Sequence, residues 1–302
     1  MVVLYVLVVC PYTGGMATQT RRQTAKPQDS AQLWRAEVFG GLELLRARYF
    51  EFNYALHTHD EFMIGVIESG VARPHIWGGV QRVRAGDVFV LSPGVVHGGG
   101  PTGESMWVYR SFYPPVALMR QAARELTGTD QGVPQFAEDI ISDPVIATQL
   151  RQAHRALESP GSALAHEAAL LPALVSLVVR HGMGKRAAPR VGVEHRAVGR
   201  VKAYLEALPG ENVALETLAR EAGISAFHLC RVFRRETGLT PQAYQILVRA
   251  RLAKTLLMGG MSISQAALEA GFFDQAHLTR HFKRIFGVTP GQYLGSALPP
   301  AM

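Results

Sequence analysis

The stretch His277-Leu278-Thr279-Arg280-His281-Phe282-Lys283-Arg284 decides the architecture, because it has a counterpart forty-nine residues earlier: His228-Leu229-Cys230-Arg231-Val232-Phe233-Arg234-Arg235. Both copies run into the same ending, Gly238-Leu239-Thr240-Pro241 with Tyr244 and Gly287-Val288-Thr289-Pro290 with Tyr293. Upstream, Leu218-Ala219-Arg220-Glu221-Ala222-Gly223-Ile224 matches Ala266-Ala267-Leu268-Glu269-Ala270-Gly271-Phe272 at an offset of 48, so the second unit has one extra residue in its turn. Each unit has the physics of a helix-turn-helix. Gly223 and Gly271 allow the left-handed backbone that ends a helix. Ile224 and Phe272 plug the angle between the two helices, and Ser225 and Asp274 are N-caps for the second. Leu229, Val232 and Phe233 form the buried side of that helix, as do Leu278, Phe282 and Ile285 in the other unit. The front carries Cys230, Arg231, Arg234 and Arg235, or Thr279, Arg280, Lys283 and Arg284. A helix that is apolar behind and basic in front suits a DNA major groove. Residues 242–258 read as a rigid connector, with Arg249, Arg251 and Lys254 on its polar side.

The charge of the chain follows this division. Residues 1–184 hold 15 Lys+Arg against 16 Asp+Glu, a net −1, whereas residues 185–302 hold 16 against 8, a net +8. A neutral part followed by a basic one fits a sensing or catalytic domain joined to one that meets a polyanion. The length of 302 residues fits two domains, and 48% hydrophobic with 18% charged residues is an ordinary globular composition. Cys10 and Cys230, the two cysteines, exclude a disulfide scaffold. Residues 2–10 are apolar but too short to span a bilayer and have no basic residue before them. They point to a true start at Met16 and to a cytoplasmic protein without a membrane segment. Residues 17–30 read as a flexible arm.

Residues 42–113 are short, alternating and punctuated by turns. Strands are expected over 62–67, 88–91 and 106–112, with a hairpin of 71–77 and 80–83 around Gly78-Gly79. That spacing suggests a barrel or sandwich. Helices are expected over 116–126 and 145–157. Leu164, Ala168, Leu171, Val175 and Val178 then form one apolar stripe, readable as core packing or as a dimer seam. Pro172 should kink that helix or restart it. Residues 181–195, rich in Gly, Pro and basic residues, read as a linker.

Residues 213–293 resemble the DNA-binding domain of AraC-type transcription regulators, and 274–293 follow that family's signature closely. The resemblance implies two recognition helices in successive major-groove turns, ~34 Å apart. By position it places base contacts on Ala226, Phe227, Cys230, Arg231 and Arg234, and on Gln275, Ala276, Thr279, Arg280 and Lys283. Arg231 and Arg280 are the best guanine readers, and Arg235 and Arg284 are assigned to phosphates. Cys230 stands where the family often has a hydrogen-bonding residue.

In the first domain His57-Thr58-His59-Asp60-Glu61 places two histidines on one face of a strand. Gly86-Asp87, Pro93-Gly94 and His97 follow. This pattern resembles the paired motifs of cupin barrels and the effector domain commonly fused to AraC-type DNA-binding domains. Three histidines of a barrel could hold Zn²⁺ or Fe²⁺. Metal cupins, however, have a glutamate where this chain has Met63 and Ile64, and Glu61 has the wrong spacing. No metal and no cofactor is therefore assigned. His57, His59, Glu61, Trp77, His97 and Trp107 are the candidate lining of an effector cavity.

The expected fold is α+β multidomain: a cupin-like β-barrel with flanking helices, then an all-α double helix-turn-helix domain. The expected boundaries are 1–30 for an arm or misassigned start, 31–181 for effector binding and dimerisation, 182–195 for the linker and 196–295 for DNA binding. The resemblance implies a sequence-specific, non-enzymatic transcription regulator that meets double-stranded DNA, a small-molecule effector, a second copy of itself and RNA polymerase. Two alternatives stay open: a metal-dependent cupin enzyme with a DNA-binding appendage, and a constitutive regulator whose barrel only dimerises.

Overall fold

A computed structural model describes residues 28–127, 129, 132–183 and 193–295. The expectations for the start at Met16, for the arm up to residue 27 and for most of the linker lie outside these residues. Ser30, expected in the arm, opens strand β1 (Ser30–Ala36), which pairs antiparallel with β2 (Leu42–Tyr49). β3 (Tyr54–His57), β4 (Met63–Ser69), β5 (Val71–Ala72), β6 (His75–Ile76), β7 (Gly79–Val80), β8 (Val83–Arg84), β9 (Val88–Leu91), β10 (His97–Gly99) and β11 (Trp107–Tyr113) follow. Beyond them come helix α1 (Val116–Thr127), strands β12 (Gln135–Phe136) and β13 (Ile140–Ile141), helices α2 (Pro144–Ala156) and α3 (Ala163–His181), and strand β14 (Gly182–Met183). A six-stranded sheet in the order β1-β2-β11-β4-β9-β13 faces a four-stranded sheet, β3-β10-β6-β7.

Strand periodicity sorts the large sheet's residues between two cores. Leu45, Ala47, Tyr49, Ile67, Phe89, Trp107 and Tyr109 point into the barrel. Leu44, Ile64, Val66, Val88, Val90 and Phe112 point outward, where α1, α2 and α3 cover them. Both faces are therefore dry, which explains why residues 88–91 are apolar without alternation and buried throughout. Arg110, buried on the outer face, is held by Glu68 and Glu158.

One expectation needs correction, and two open alternatives narrow. The hairpin turn is Trp77-Gly78, one residue earlier than expected, since Ile76 pairs with Gly79 and both turn residues have positive φ (53° and 77°). A two-residue hairpin loop demands that geometry. Helix α3 passes through Pro172 without ending. Its buried side is His166, Leu170, Ala173, Leu174, Leu177 and Val178, so most of the expected stripe faces outward: Leu164 is 75% exposed and Val179, beside the stripe, 58%.

Asp143 ties α2 to α3. Its Oδ1 accepts from the amides of Val145 (3.0 Å) and Ile146 (3.3 Å), and its Oδ2 accepts from Arg180 Nε (2.7 Å) and His181 Nε2 (2.8 Å). Desolvation pushes the Asp143 carboxyl up, but Arg180, His181 and the two amides outweigh it and hold the group below the usual carboxylate range.

The second domain is helical: α4 (Val193–Ala207), α5 (Leu215–Ala222), α6 (Ala226–Thr237), α7 (Pro241–Met258), α8 (Ile263–Glu269), α9 (Gln275–Phe286) and α10 (Pro290–Leu294). α4 begins inside the stretch read as linker. Capping follows the repeat. Ser225 Oγ accepts from the amide of His228 and Asp274 Oδ1 from that of His277, while Thr240 and Thr289 cap the next helices in the same way. Leu229, Val232, Phe233, Leu278, Phe282 and Ile285 are buried as expected.

Replacing Asp143 by alanine should lower stability by ~1–2 kcal/mol at pH 7, as loss of a helix N-cap does. A carboxyl depressed in the folded state stabilises above its unfolded pKa of ~3.9, and that contribution is lost as pH falls through the folded value. Denaturant titrations of wild type and Asp143→Ala should therefore differ equally at pH 5–8 and begin to converge only below about pH 4.

Candidate nucleic-acid interface and effector cavity

α6 and α9 present matching faces. Arg231, Arg234, Arg280 and Arg284 are exposed, and among the described residues no carboxylate pairs with them. Gln275, Ala276 and Lys283 are exposed, and Ala226, Cys230 and Thr279 half-buried. Thr279 Oγ1 donates to the carbonyl of Gln275, so its hydroxyl is committed to its own helix turn. Phe227 is 82% exposed at the start of α6. A shallow groove runs along Phe227, Cys230, Arg231, Arg234 and Arg235. Arg235 differs from its neighbours: it is bound by Glu194 of α4 and by Glu236 (2.9 Å), and Glu194 also accepts from His228 Nε2 (2.9 Å).

The extra residue of the second turn is Phe273, which is 86% exposed. It was absent from the site expected from sequence. The offset of 48 against 49 was the signal, since an inserted residue must leave the packed turn.

Behind α6 and α9 lies the barrel. The glycine that ends each helix is in the left-handed conformation, Gly238 at φ 73° and Gly287 at φ 79°. A Cβ on Gly238 would crowd Val96, and one on Gly287 would collide with the hydroxyls of Tyr54 and Tyr49. The connector α7 also grips the barrel. Arg251 donates to the carbonyl and hydroxyl of Thr58 (both 2.9 Å) and pairs with Asp60 (2.9 Å). Lys254 pairs with Glu43, which also accepts from the Tyr293 hydroxyl (3.0 Å). Arg249 instead turns inward to the carbonyl of Glu211.

A cavity opens inside the barrel between the two sheets. Its walls are mainly apolar, with polar atoms supplied by Tyr54, His57, His97, Trp107, Tyr109 and Tyr113. Of the expected lining, His57, His97 and Trp107 are there, and His59 packs against both histidines, with ring centroids 4.9 and 5.1 Å away. Trp77 is a correction: it sits in the hairpin turn, 63% exposed, away from the cavity. Glu61 is also outside, because β3 ends at His57 and the two-residue alternation stops there. Tyr54, Tyr109 and Tyr113 were missed. The alternation of Trp107, Tyr109 and Tyr113 along one strand could have found the last two, whereas Tyr54 lies on β3 and gave no such signal.

Hydroxyls connect this cavity to the second domain. Tyr109 and Tyr54 share a hydrogen bond of 2.8 Å, Tyr54 and Tyr49 one of 3.0 Å, and Tyr49 donates to the carbonyl of Gly287 (3.3 Å). Burial raises the pKa of all three tyrosines well above the ordinary value, so the chain is neutral. Burial likewise pushes His57 and His59 down, and His97 down to about 4, leaving three neutral imidazoles. His57 Nδ1 and His97 Nδ1 donate to the carbonyls of Ala55 (2.7 Å) and Val95 (2.9 Å).

Comparison with known proteins gives this anatomy a family. Residues 39–174 match the AraC-like ligand binding domain and residues 218–296 a helix-turn-helix domain. The HTH-type transcriptional regulator YbfI of Bacillus subtilis (strain 168) is 30% identical over 237 residues, 78% of this chain and 86% of that protein. The chain belongs to the AraC-type transcription regulators. As an AraC-type protein it is a DNA-binding regulator with a ligand-binding barrel. Ada of Escherichia coli (strain K12), a bifunctional transcriptional activator and DNA repair enzyme, is 40% identical over 81 residues, 27% of this chain and 23% of its own. The fold extends to ToxT of Vibrio cholerae, crystallised with an unsaturated fatty acid. That likeness has a TM-score of 0.55 at 13% identity and covers 85% of this chain and 96% of that one.

The ion pairs of Arg235 set it apart from Arg231 and Arg234 on the same helix. Arg234→Ala should reduce the slope of log affinity against log salt for duplex DNA by ~1, as loss of one phosphate contact does. Arg235→Ala should leave the slope within error. Fluorescence anisotropy between 50 and 200 mM salt, roughly the range over which counterion release acts, reads both.

Proposed function

We propose that this AraC-type regulator reads duplex DNA through α6 and α9, and that a small molecule in the barrel cavity biases how the two domains sit together. The observation that carries the reading is the pair of matched basic helices whose Arg231, Arg234, Arg280 and Arg284 meet no carboxylate among the described residues, while their far ends rest on the barrel. Arg231 and Arg280 read bases, with Ala226, Phe227, Gln275 and Ala276 at the groove-entering ends. Arg234, Lys283 and Arg284 meet bases or backbone nearby. Lys283 also lies 5.9 Å from the Phe52 ring of the barrel, so the DNA face and the sensor share a boundary.

The effector is an apolar molecule with one hydrogen-bonding group. Apolar walls supply the burial, and the hydroxyls of Tyr54 and Tyr109 or the histidines fix the polar end. The fatty acid held by ToxT has that character. A ligand that engages Tyr54 and Tyr109 perturbs the hydroxyl chain ending at Gly287. It shifts the population of domain arrangements by its differential affinity for them. We read the barrel as a sensor in the cytoplasm, without catalytic activity, and RNA polymerase as a further partner of the DNA-bound protein.

The outward face of α3, with Leu164, Leu171, Val175 and Val179, is the seam for a second copy. Leu164→Asp, at a residue 75% exposed, should convert a dimer to a monomer in sedimentation velocity with unchanged circular dichroism. A wild-type protein that is already monomeric at micromolar concentration would remove the seam.

Selection of bound duplexes from a random pool tests the reading of bases. Arg231→Ala and Arg280→Ala should each relax preference at one base position, costing ~1–3 kcal/mol of discrimination. Unchanged preference in both variants would place base reading elsewhere.

A further inference from the structure

His57 closes β3 and His97 opens β10, and the two are paired across the small sheet. His59 follows two residues later and folds back on them, so that one nitrogen from each ring lies within 4.8 Å of the others. The ring centroids of His57 and His97 are 4.4 Å apart. A carbonyl accepts from Nδ1 of His57 and of His97, so in both neutral rings Nδ1 carries the proton and Nε2 the lone pair. His97 Nε2 and His59 Nε2 are buried and make no hydrogen bond among the described residues. A core that wanted only aromatic packing would not gather three imidazoles and leave a nitrogen on two of them unsatisfied. Backbone carbonyls that fix the tautomer and orientation of the rings are, in contrast, what ligating histidines have behind them.

We propose that His57, His59 and His97 form a three-nitrogen site for one divalent transition-metal ion of the zinc class. Three neutral imidazoles suit Zn²⁺, Co²⁺ or Ni²⁺, and they leave a coordination position open. The carboxylate expected of a metal cupin is missing here, so the ion keeps its positive charge. The nearby cations Arg251 and Lys254 are already neutralised by Asp60 and Glu43. His57 and His97 line the effector cavity. The open position would therefore take an anionic or hydroxyl head group of the effector, a step that rests on the sensor reading above.

The site also sits on a mechanical contact. Thr58 lies between two of the ligands, and its carbonyl and hydroxyl are the groups Arg251 holds. Nitrogens 2.0–2.1 Å from one zinc ion lie within ~4.2 Å of one another, whereas these span up to 4.8 Å. Drawing the three rings together moves the chain on either side of Thr58, which alters the hold of Thr58 and Asp60 on Arg251 of α7.

The full chain, stripped with chelator, is titrated with Co²⁺ alone and watched in the visible range, with metal content measured after desalting. The expected result is one equivalent per chain with the intense absorption of a four-coordinate cobalt site, displaced by Zn²⁺. His59→Gln and His97→Gln should each lose the absorption while keeping the circular dichroism of wild type. If either variant fails to fold, the wild-type spectrum still decides: a weak octahedral spectrum overturns the site. Retention of stoichiometric metal in both variants, with loss in His277→Gln, would assign the ion to the surface pair His277 and His281 and overturn the proposal. The coupling is read separately. Zn²⁺ should change duplex affinity several-fold in wild type and not in Arg251→Gln. A chain that binds DNA with normal salt dependence but takes up no metal overturns this proposal alone. One that takes up metal but binds no DNA supports the site and removes the regulator reading.

Discussion

The grip of Arg251 on Thr58 and Asp60 is the contact around which the two domains are arranged. α7 carries that arginine and is also the helix from which both helix-turn-helix units hang, so a single side chain connects the barrel mouth to the spine of the reader. Arg251 is partly buried and spends its donors on a carbonyl, a hydroxyl and a carboxylate. Charge-assisted bonds of that kind are stronger than neutral ones. Lys254 and Tyr293 meet on Glu43 beside it, and the hydroxyl chain from Tyr109 to Gly287 gives a third tie. Packed elements with few alternative arrangements transmit small shifts better than a flexible tether would.

The helical half was legible in the sequence because its determinants are local. A helix ends where glycine takes a left-handed angle, and begins where a serine or aspartate side chain meets an amide three residues on. Both events lie within a few residues of the letters that signal them. The repeat supplied what local signals lack, since matched positions such as Phe233 and Phe282 identify the buried face twice. Even the extra turn residue was countable, although its exposure as Phe273 became visible only in three dimensions.

The barrel was less legible because its order comes from pairing between distant residues. Only the first residue of β1, Ser30, fell inside the polar arm, and where the strand starts is set by its pairing with β2, Ser30 opposite Arg48. Trp77 reads as a cavity residue by type, and one residue of register in the hairpin puts it outside. α3 is apolar on more than one side, so helical period alone could not choose between its two stripes. Packing against α1 and α2 chose the one with Leu170, Leu174 and Leu177. Arg251 was noted as polar surface, and nothing within the helix could reveal a partner 193 residues away.

The two glycines that end α6 and α9 carry a further meaning. Local chain geometry would favour glycine there in any helix-turn-helix. Here the same hydrogen atoms also set the distance of closest approach between halves of the protein, against Val96 at one point and the Tyr54 and Tyr49 hydroxyls at the other. Spacing between sensor and reader is thus written in two absent methyl groups. A side chain at Gly238, which would press on Val96 and on no cavity residue, would part the two halves while leaving the cavity lining in place, giving a protein that senses and reads but no longer connects the two.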